Sequence, residues 1–398
     1  MIKPKPQHYQ AVVQVVAGLA LNIFPAIFIA IYARIAPIDN QGFLALSLAV
    51  GVYFAQLLNA FVVEGRLATP GADHGLSLPT WVALLSAASG ALLITGPAVA
   101  NPAVLMISSI GLMSGLLMSR TIGVITGKWK REALAASVLI VASAAAFLLA
   151  GTRYDAHCVR LLALGAVLAT MTRYWPRIPL ERYGMPPDVR RSAWVTAETA
   201  VVGVVQPAIT SIVLVVMGPA ASVAFRVIST VSGALEPILS YGRYRLLAHG
   251  HKGELATFGG VFTAGMAVVI VGALSGLGSL VFGPAWDDVG VVAFLLACLW
   301  KSFMLVSTVP FAALRKAGET ALVFQIRAFS TLVYLAIGVA FLLIWRSTAA
   351  IFLAFVLAEL LTTLVYHVAA TRGSSEYRSS FGSVGRPVAD TRPDDAEN

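Results

Sequence analysis

Residues 321–370 read ALVFQIRAFSTLVYLAIGVAFLLIWRSTAAIFLAFVLAELLTTLVYHVAA, and the pattern in this stretch recurs along most of the chain. Two apolar runs, 321–345 and 349–370, are separated only by Arg346-Ser-Thr. An α-helix rises about 1.5 Å per residue, so about 20 apolar residues cross a hydrocarbon core about 30 Å thick. The stretch therefore predicts two transmembrane helices joined by a tight turn.

The same pattern extends from this stretch to the N-terminus. Polar or Pro- and Gly-containing segments separate ten further apolar runs, and together the runs predict an all-α polytopic membrane protein with about twelve transmembrane helices. These ten runs cover residues 11–33, 41–63, 78–98, 103–125, 133–150, 158–172, 192–217, 220–241, 258–282 and 289–314.

The composition excludes a soluble domain. The chain has 398 residues, of which 58% are hydrophobic and only 12% charged. A soluble domain has roughly 25% charged residues, so this chain has too few charges to cover a water-facing surface of its size. Cys158 and Cys298 are far apart in sequence and do not indicate a disulfide framework.

The distribution of basic residues predicts the orientation. If the N-terminus is cytoplasmic, the outer loops receive Arg34, Arg153, Arg160 and Arg346, and almost all other loop cations lie inside. This agrees with the excess of Lys and Arg found in cytoplasmic loops and predicts that both termini are cytoplasmic. It also accounts for the net charge of +9 without nucleic acid, which is not predicted as a partner.

The helices divide six and six around a charged loop. Pro37 and Phe43 after the first helix recur with the same spacing as Pro219 and Phe225 after the seventh, which favours an internal repeat of the kind found in transporters. The predicted organisation is an N-terminal six-helix bundle over 1–172, a cytoplasmic linker over 173–191, a C-terminal six-helix bundle over 192–370 and a disordered cytoplasmic tail over 371–398.

The sequence shows no catalytic signature. Residues Gly123 to Lys128 approach a phosphate-binding loop but are one residue short, and Trp129 replaces the Ser or Thr that binds Mg²⁺. No HExxH or GxSxG motif is present. The chain is therefore predicted not to be an enzyme, and neither a cofactor nor a metal is predicted.

Ionisable residues inside the predicted spans are the candidate functional groups. A charge at the centre of a membrane helix costs roughly 2.5–3.5 kcal/mol on insertion scales, so such residues usually face a cavity or a partner. The cations are Arg120, Arg226, Lys301 and Arg327, and the acids are Glu198, Glu236 and Glu359. Arg120 and Glu198 lie towards the cytoplasmic ends of their helices, where a long side chain can instead extend to the membrane–water interface.

Polar residues follow two of these charged residues at positions that share their helix face. Ser330, Thr331 and Tyr334 follow Arg327 on one helix face, and Thr362, Thr363 and Tyr366 follow Glu359 in the same pattern. Arg327 and Glu359 are therefore expected either to pair with each other or to line a cavity. Asn22 and Asn59 are further polar groups for a cavity wall, unless each forms only an interhelical hydrogen bond.

Short motifs at helix ends carry a family resemblance. They are the helix over residues 24–34, the turn Ala36-Pro37…Gly42-Phe43, Glu64-Gly65-Arg66, Met217-Gly-Pro219…Phe225-Arg226 and Leu280-Val-Phe-Gly-Pro284-Ala-Trp286. In these motifs and in its twelve spans the chain resembles the O-antigen-type (Wzx-like) flippases of lipid-linked oligosaccharides. These flippases belong to the multidrug/oligosaccharidyl-lipid/polysaccharide (MOP) exporter superfamily.

The resemblance implies a fold and a substrate. The fold is two six-helix bundles around a central cavity that opens alternately to either side of a bacterial cytoplasmic membrane. The substrate is a polyprenyl-diphosphate-linked glycan, and proteins of polysaccharide assembly are the implied partners. The resemblance also implies cations that bind the diphosphate, and the candidates for this role are Arg226, Lys301, Arg327 and Arg120.

Energy would come from the membrane potential or a coupled ion, because no ATP site is present. Glu359 or Glu236 is the residue expected to carry a proton or to contribute to ion coupling.

Several alternatives remain open from the sequence. A MATE-like drug or organic-cation exporter of the same superfamily would need acids in the cavity, and the first six helices contain none at mid-span. A major-facilitator transporter would carry a different basic motif after the second helix. A membrane-embedded enzyme would usually show a large outer loop or an embedded His with an acid. A non-transporting scaffold would pair every embedded charge.

Overall fold

A computed structural model describes residues 6–67, 78–95, 101–173, 188–236, 238–239, 252–316 and 319–373. Twelve helical segments lie where the sequence predicts membrane spans, and we number them α1 to α12. Their bounds are Pro6–Tyr32, Ile38–Glu64, Thr80–Thr95, Pro102–Ile125, Trp129–Leu149, Cys158–Thr172, Ser192–Met217, Pro219–Leu235, Gly259–Phe282, Val291–Lys316, Thr320–Trp345 and Thr348–Gly373.

The chain has an all-α, polytopic membrane fold, as predicted. Within the described residues, nine helices are long and apolar enough to cross a membrane, and three shorter apolar helices are α1 from Ala17, α3 and α8. Local signals set several helix starts. The Asn101 side chain accepts a hydrogen bond from the Ala103 N–H at 3.0 Å at the start of α4, and Pro219 occupies the first turn of α8.

Two interruptions were not visible in the hydropathy pattern. The end of α2 is a π-helical turn, Ala60–Glu64. A second π-helical segment, Ala273–Leu277, breaks α9, and Gly276 within it has a φ of 98°. A residue with a Cβ atom would be strained in this conformation, so glycine is what permits the kink.

Four predicted segments extend beyond the described residues, and one of them is the third span, whose predicted end at residue 98 lies outside. Helix α12 extends to Gly373, so the first three residues of the predicted tail are helical, and 374–398 lie outside the described residues. Of the predicted linker, Arg173 and residues 188–191 are described and 174–187 are not. The predicted end of the eighth span at residue 241 also lies outside.

Five helix pairs of the first half recur in the second. Helix α1 packs on α5, α2 on α4, α3 on α4, α4 on α6, and α5 on α6, and the helices six positions later form the same five pairs. The buried apolar residues form one large cluster mainly from α1 to α6 and another from α7 to α12.

The two halves meet along α1 and α2. Helix α2 packs against α7 and α8, and α1 packs against α8 and α9. A Cβ atom at Gly42 would lie 2.8 Å from the Cβ of Pro219, so the turns that carry the repeated Pro motifs touch each other. We call this the Arg34 end of the bundle, because Arg34 lies there and donates a hydrogen bond to the Leu280 carbonyl at 2.8 Å.

Candidate functional site

A cavity of about 430 Å³ lies between the two halves. Helices α1, α2 and α4 line it from the first half, and α7, α8, α10, α11 and α12 line it from the second. All charged residues that the structure describes in its wall come from the second half: Arg226, Glu236, Lys301, Arg327 and Glu359. The cavity is therefore electrically asymmetric, with charged groups facing a wall that is polar only at a few positions.

The first charged group is an ion pair between α8 and α10. The Nζ atom of Lys301 lies 2.5 Å from Oε1 of Glu236. The same ammonium group lies 3.9 Å from the centre of the Trp300 ring, where the negative face of the ring attracts a cation. The Lys301 side chain is only 5% exposed, whereas the Glu236 side chain is 45% exposed.

The second charged group joins α11 to α7. Nη1 of Arg327 donates to Oε1 of Glu198 at 2.7 Å, and the two side chains are 21% and 19% exposed. The Arg327 guanidinium also lies 4.5 Å from the centre of the Phe311 ring. Because aromatic and carboxylate groups both hold the guanidinium, Arg327 is fixed beside the cavity.

Arg226 of α8 is the third cation, and its environment differs. The residue is 8% exposed, and no described residue accepts a hydrogen bond from its Nε. Glu236 acts on it electrostatically, but that carboxylate is hydrogen-bonded to Lys301. A buried guanidinium with an unsatisfied N–H costs free energy that an anionic ligand would recover.

A chain of hydrogen bonds crosses α10, α11 and α12. The indole N–H of Trp300 donates to the Tyr334 hydroxyl at 2.8 Å, and this hydroxyl donates to a carboxylate oxygen of Glu359. Thr362 donates to the Ser330 hydroxyl at 3.0 Å one turn away. The polar faces of α11 and α12 that the sequence predicts therefore face each other at the cavity wall.

Most predicted site residues lie together. Nine of them line the cavity: Asn22, Arg226, Glu236, Lys301, Arg327, Ser330, Thr331, Tyr334 and Glu359.

Two predicted site residues are not among the lining residues. Arg120 lies near the end of α4, where Glu132 and Arg173 act on it electrostatically. Asn59 donates from Nδ2 to Oε1 of Glu64 at 3.1 Å, within its own helix. Neither residue lines the cavity as the structure describes it, because helix periodicity gives the face of a residue but not the neighbour that covers this face.

Sequence reasoning did not identify every residue of the site. Glu198 was placed near a span end, but it holds Arg327. Gln206 and Pro207 of α7 line the cavity, and a Gln-Pro step within an apolar run was the available signal for an interruption there. Trp300 was not singled out, although its ring packs against Lys301, the residue that follows it.

Solved structures share this fold, while sequence comparisons find no relative. No protein-family model matches the chain, and no curated protein matches it. The lipid II flippase MurJ in an inward closed conformation aligns with a TM-score of 0.54 at 10% identity, over 90% of this chain and 87% of that one. A MATE transporter in complex with Br-NRF aligns with a TM-score of 0.50 at 11% identity, over 95% and 96%. The chain thus shares its overall fold with these two proteins.

Proposed function

We propose that this chain is a secondary-active flippase that moves a polyprenyl-diphosphate-linked oligosaccharide across the bacterial cytoplasmic membrane by alternating access. One observation carries the proposal. Arg226 is 92% buried at the wall of the cavity between the two halves, and its Nε has no hydrogen-bond acceptor among the described residues. A diphosphate is an anion with several acceptor oxygens, and a guanidinium fork binds phosphate groups through two parallel hydrogen bonds.

The neighbouring charges suit the same ligand. Lys301 and Arg327 also line the cavity, and each is paired with a carboxylate, so three cations lie in one site. The similarity in fold to MurJ, a lipid II flippase, also supports the proposal that this chain is a flippase. With no ATP motif in the chain, Glu359 is our candidate for coupling to a proton or another ion.

The second candidate function is a MATE-like exporter of organic cations. The carboxylates of Glu236 and Glu359 in the same wall favour it, since acids in the cavity hold a cationic substrate. A non-transporting scaffold is less well supported, because among the described ion pairs of the cavity none includes Arg226.

The test is translocation of a fluorescent polyprenyl-diphosphate sugar in proteoliposomes with an imposed ion gradient. We expect Arg226→Ala to lower the rate about 10-fold or more, since a hydrogen bond to a charged group contributes about 1.5–3 kcal/mol. Arg153→Ala is the matched control, because Arg153 is an exposed cation at a distant turn and its loss should leave the rate unchanged.

The same vesicles distinguish the two candidates. Transport of ethidium, with no movement of the sugar lipid by the wild type, would replace the flippase proposal with the organic-cation exporter. Failure to move either substrate under any gradient would favour the scaffold.

A further inference from the structure

The two partners of the Lys301–Glu236 ion pair are held very differently. The Lys301 side chain is 5% exposed and its ammonium group is covered by the Trp300 ring. The Glu236 side chain is 45% exposed and lies at the end of α8, directly after the 3-10 turn Gly233–Leu235. The cation is therefore held in the wall, and its carboxylate partner is the more accessible of the two groups.

A glycine makes room for this carboxylate. A Cβ atom at Gly233 would lie 3.1 Å from Oε1 of Glu236, the same oxygen that accepts the hydrogen bond from Lys301. The carboxylate thus lies against bare backbone on one side and faces Lys301 on the other. In this place it also acts on Arg226, so one carboxylate partly neutralises two of the three cavity cations.

We infer that Glu236 is a built-in competitor that occupies the place of the substrate's anionic group at Lys301 and is displaced when the substrate binds. This inference rests on the proposed function, and it assigns Glu236 a role in specificity. An anion that binds must be a better partner for Lys301 and Arg226 together than one carboxylate is. A diphosphate, with two phosphoryl groups, meets this condition, and a monocarboxylate does not.

The physical basis is competition between the Glu236 carboxylate and the anionic group of the substrate for Lys301. A buried ammonium without a partner is costly, so the resident carboxylate stabilises the empty cavity. A ligand then binds only to the fraction of molecules in which the carboxylate has left Lys301, and its apparent dissociation constant rises by the inverse of that fraction. Removing the charge of Glu236 should therefore tighten anion binding, whereas a residue that helped to bind the substrate would do the opposite.

The experiment measures binding of geranyl diphosphate to the purified full-length protein in detergent by titration calorimetry. We expect Glu236→Gln to lower the dissociation constant about 5-fold or more, the size expected if the carboxylate occupies Lys301 in most empty molecules. Glu319→Gln is the matched control, since Glu319 is an exposed acid at the start of α11, and its dissociation constant should equal that of the wild type.

A second variant protects the test against misfolding. Glu236→Asp keeps the charge but draws the carboxylate back by one methylene group, so it should bind with an affinity between those of the wild type and Glu236→Gln. Wild-type binding that Glu236→Gln leaves unchanged or weakens would overturn the inference and leave the flippase proposal standing. Absence of binding by the wild type and by both variants would overturn the two together.

Discussion

At the scale of single residues, an ion pair that is almost fully buried lies outside the cavity. Nε of Arg173 donates to Oε1 of Glu132 at 2.9 Å, and both side chains are only 1% exposed. Arg173 also donates to the Ser119 hydroxyl at 2.9 Å and to the Leu116 carbonyl at 3.3 Å. This arginine therefore ties the end of α6 to α4 and α5, and its role is structural.

Breaking this pair should destabilise the fold. Removing one partner of a buried ion pair costs about 3–5 kcal/mol, because the other charge stays buried without compensation. We expect Arg173→Met and Glu132→Gln each to lower the free energy of unfolding by about this amount, measured by denaturant titration in detergent. The double variant should recover much of the loss, and a double variant as unstable as the sum of the two singles would contradict this account.

The residue scale is also where sequence reasoning was weakest. It identified Arg327 and Glu359 as embedded charges with polar faces, and both line the cavity. It did not identify Glu198 as the partner of Arg327, since the two lie on helices that only the tertiary fold brings together. It assigned Arg173 to a cytoplasmic loop, where positive charges are usual. The sequence does not show which helices bury this arginine or which groups accept its hydrogen bonds.

At the scale of helices, Arg34 connects the two halves. It caps α9 by donating to the carbonyl groups of Leu280 and Val281 at 2.8 and 3.4 Å, and its guanidinium lies 4.0 Å from the centre of the Phe147 ring. Carbonyl groups in the last turn of a helix have no partner in the helix and carry partial negative charge. One cation from the turn between α1 and α2 thus holds α9 against the first half.

Loss of this contact should loosen the Arg34 end. We expect Arg34→Ala to lengthen and broaden the distance between spin labels at Asp39→Cys and Asp287→Cys, two exposed positions of that end, in double electron–electron resonance. Cys158 and Cys298 are buried and should not compete for the label. Arg153→Ala serves as the control. A distance distribution that Arg34→Ala leaves unchanged would contradict this account, and would mean that the packing of Gly42 on Pro219 is enough to hold this end together.

The helices themselves were largely predictable. The predicted span 103–125 corresponds to Pro102–Ile125 in the structure, and 321–345 corresponds to Thr320–Trp345, since apolar length is a strong signal for a membrane helix. The π-helical segment Ala273–Leu277 was not predictable, because it keeps the same apolar composition as the helix around it.

At the scale of the whole molecule, the packing of α1–α6 is largely repeated in α7–α12. An even number of spans leaves both termini on one side of the membrane, and the distribution of Lys and Arg predicted the orientation. That orientation has both termini in the cytoplasm and the Arg34 end outside. We expect green fluorescent protein fused to the C-terminus to fluoresce, alkaline phosphatase fused after Asp288 to be active, and alkaline phosphatase fused after Lys128 to be inactive.

The opposite pattern at all three fusion points would invert the orientation and place the Arg34 end in the cytoplasm. Agreement at two points and disagreement at one would instead show that a predicted span does not cross the membrane.

The buried pair of Glu132 and Arg173 also has a consequence for biosynthesis. Glu132 leaves the ribosome 41 residues before Arg173, so α5 enters the translocon before the partner of its carboxylate has been made. Arg120, on the helix synthesised just before, already acts on Glu132 and is available as a provisional counter-charge. The charges of α4, α5 and α6 therefore reach their final pairing only after Arg173, at the end of α6, has been synthesised.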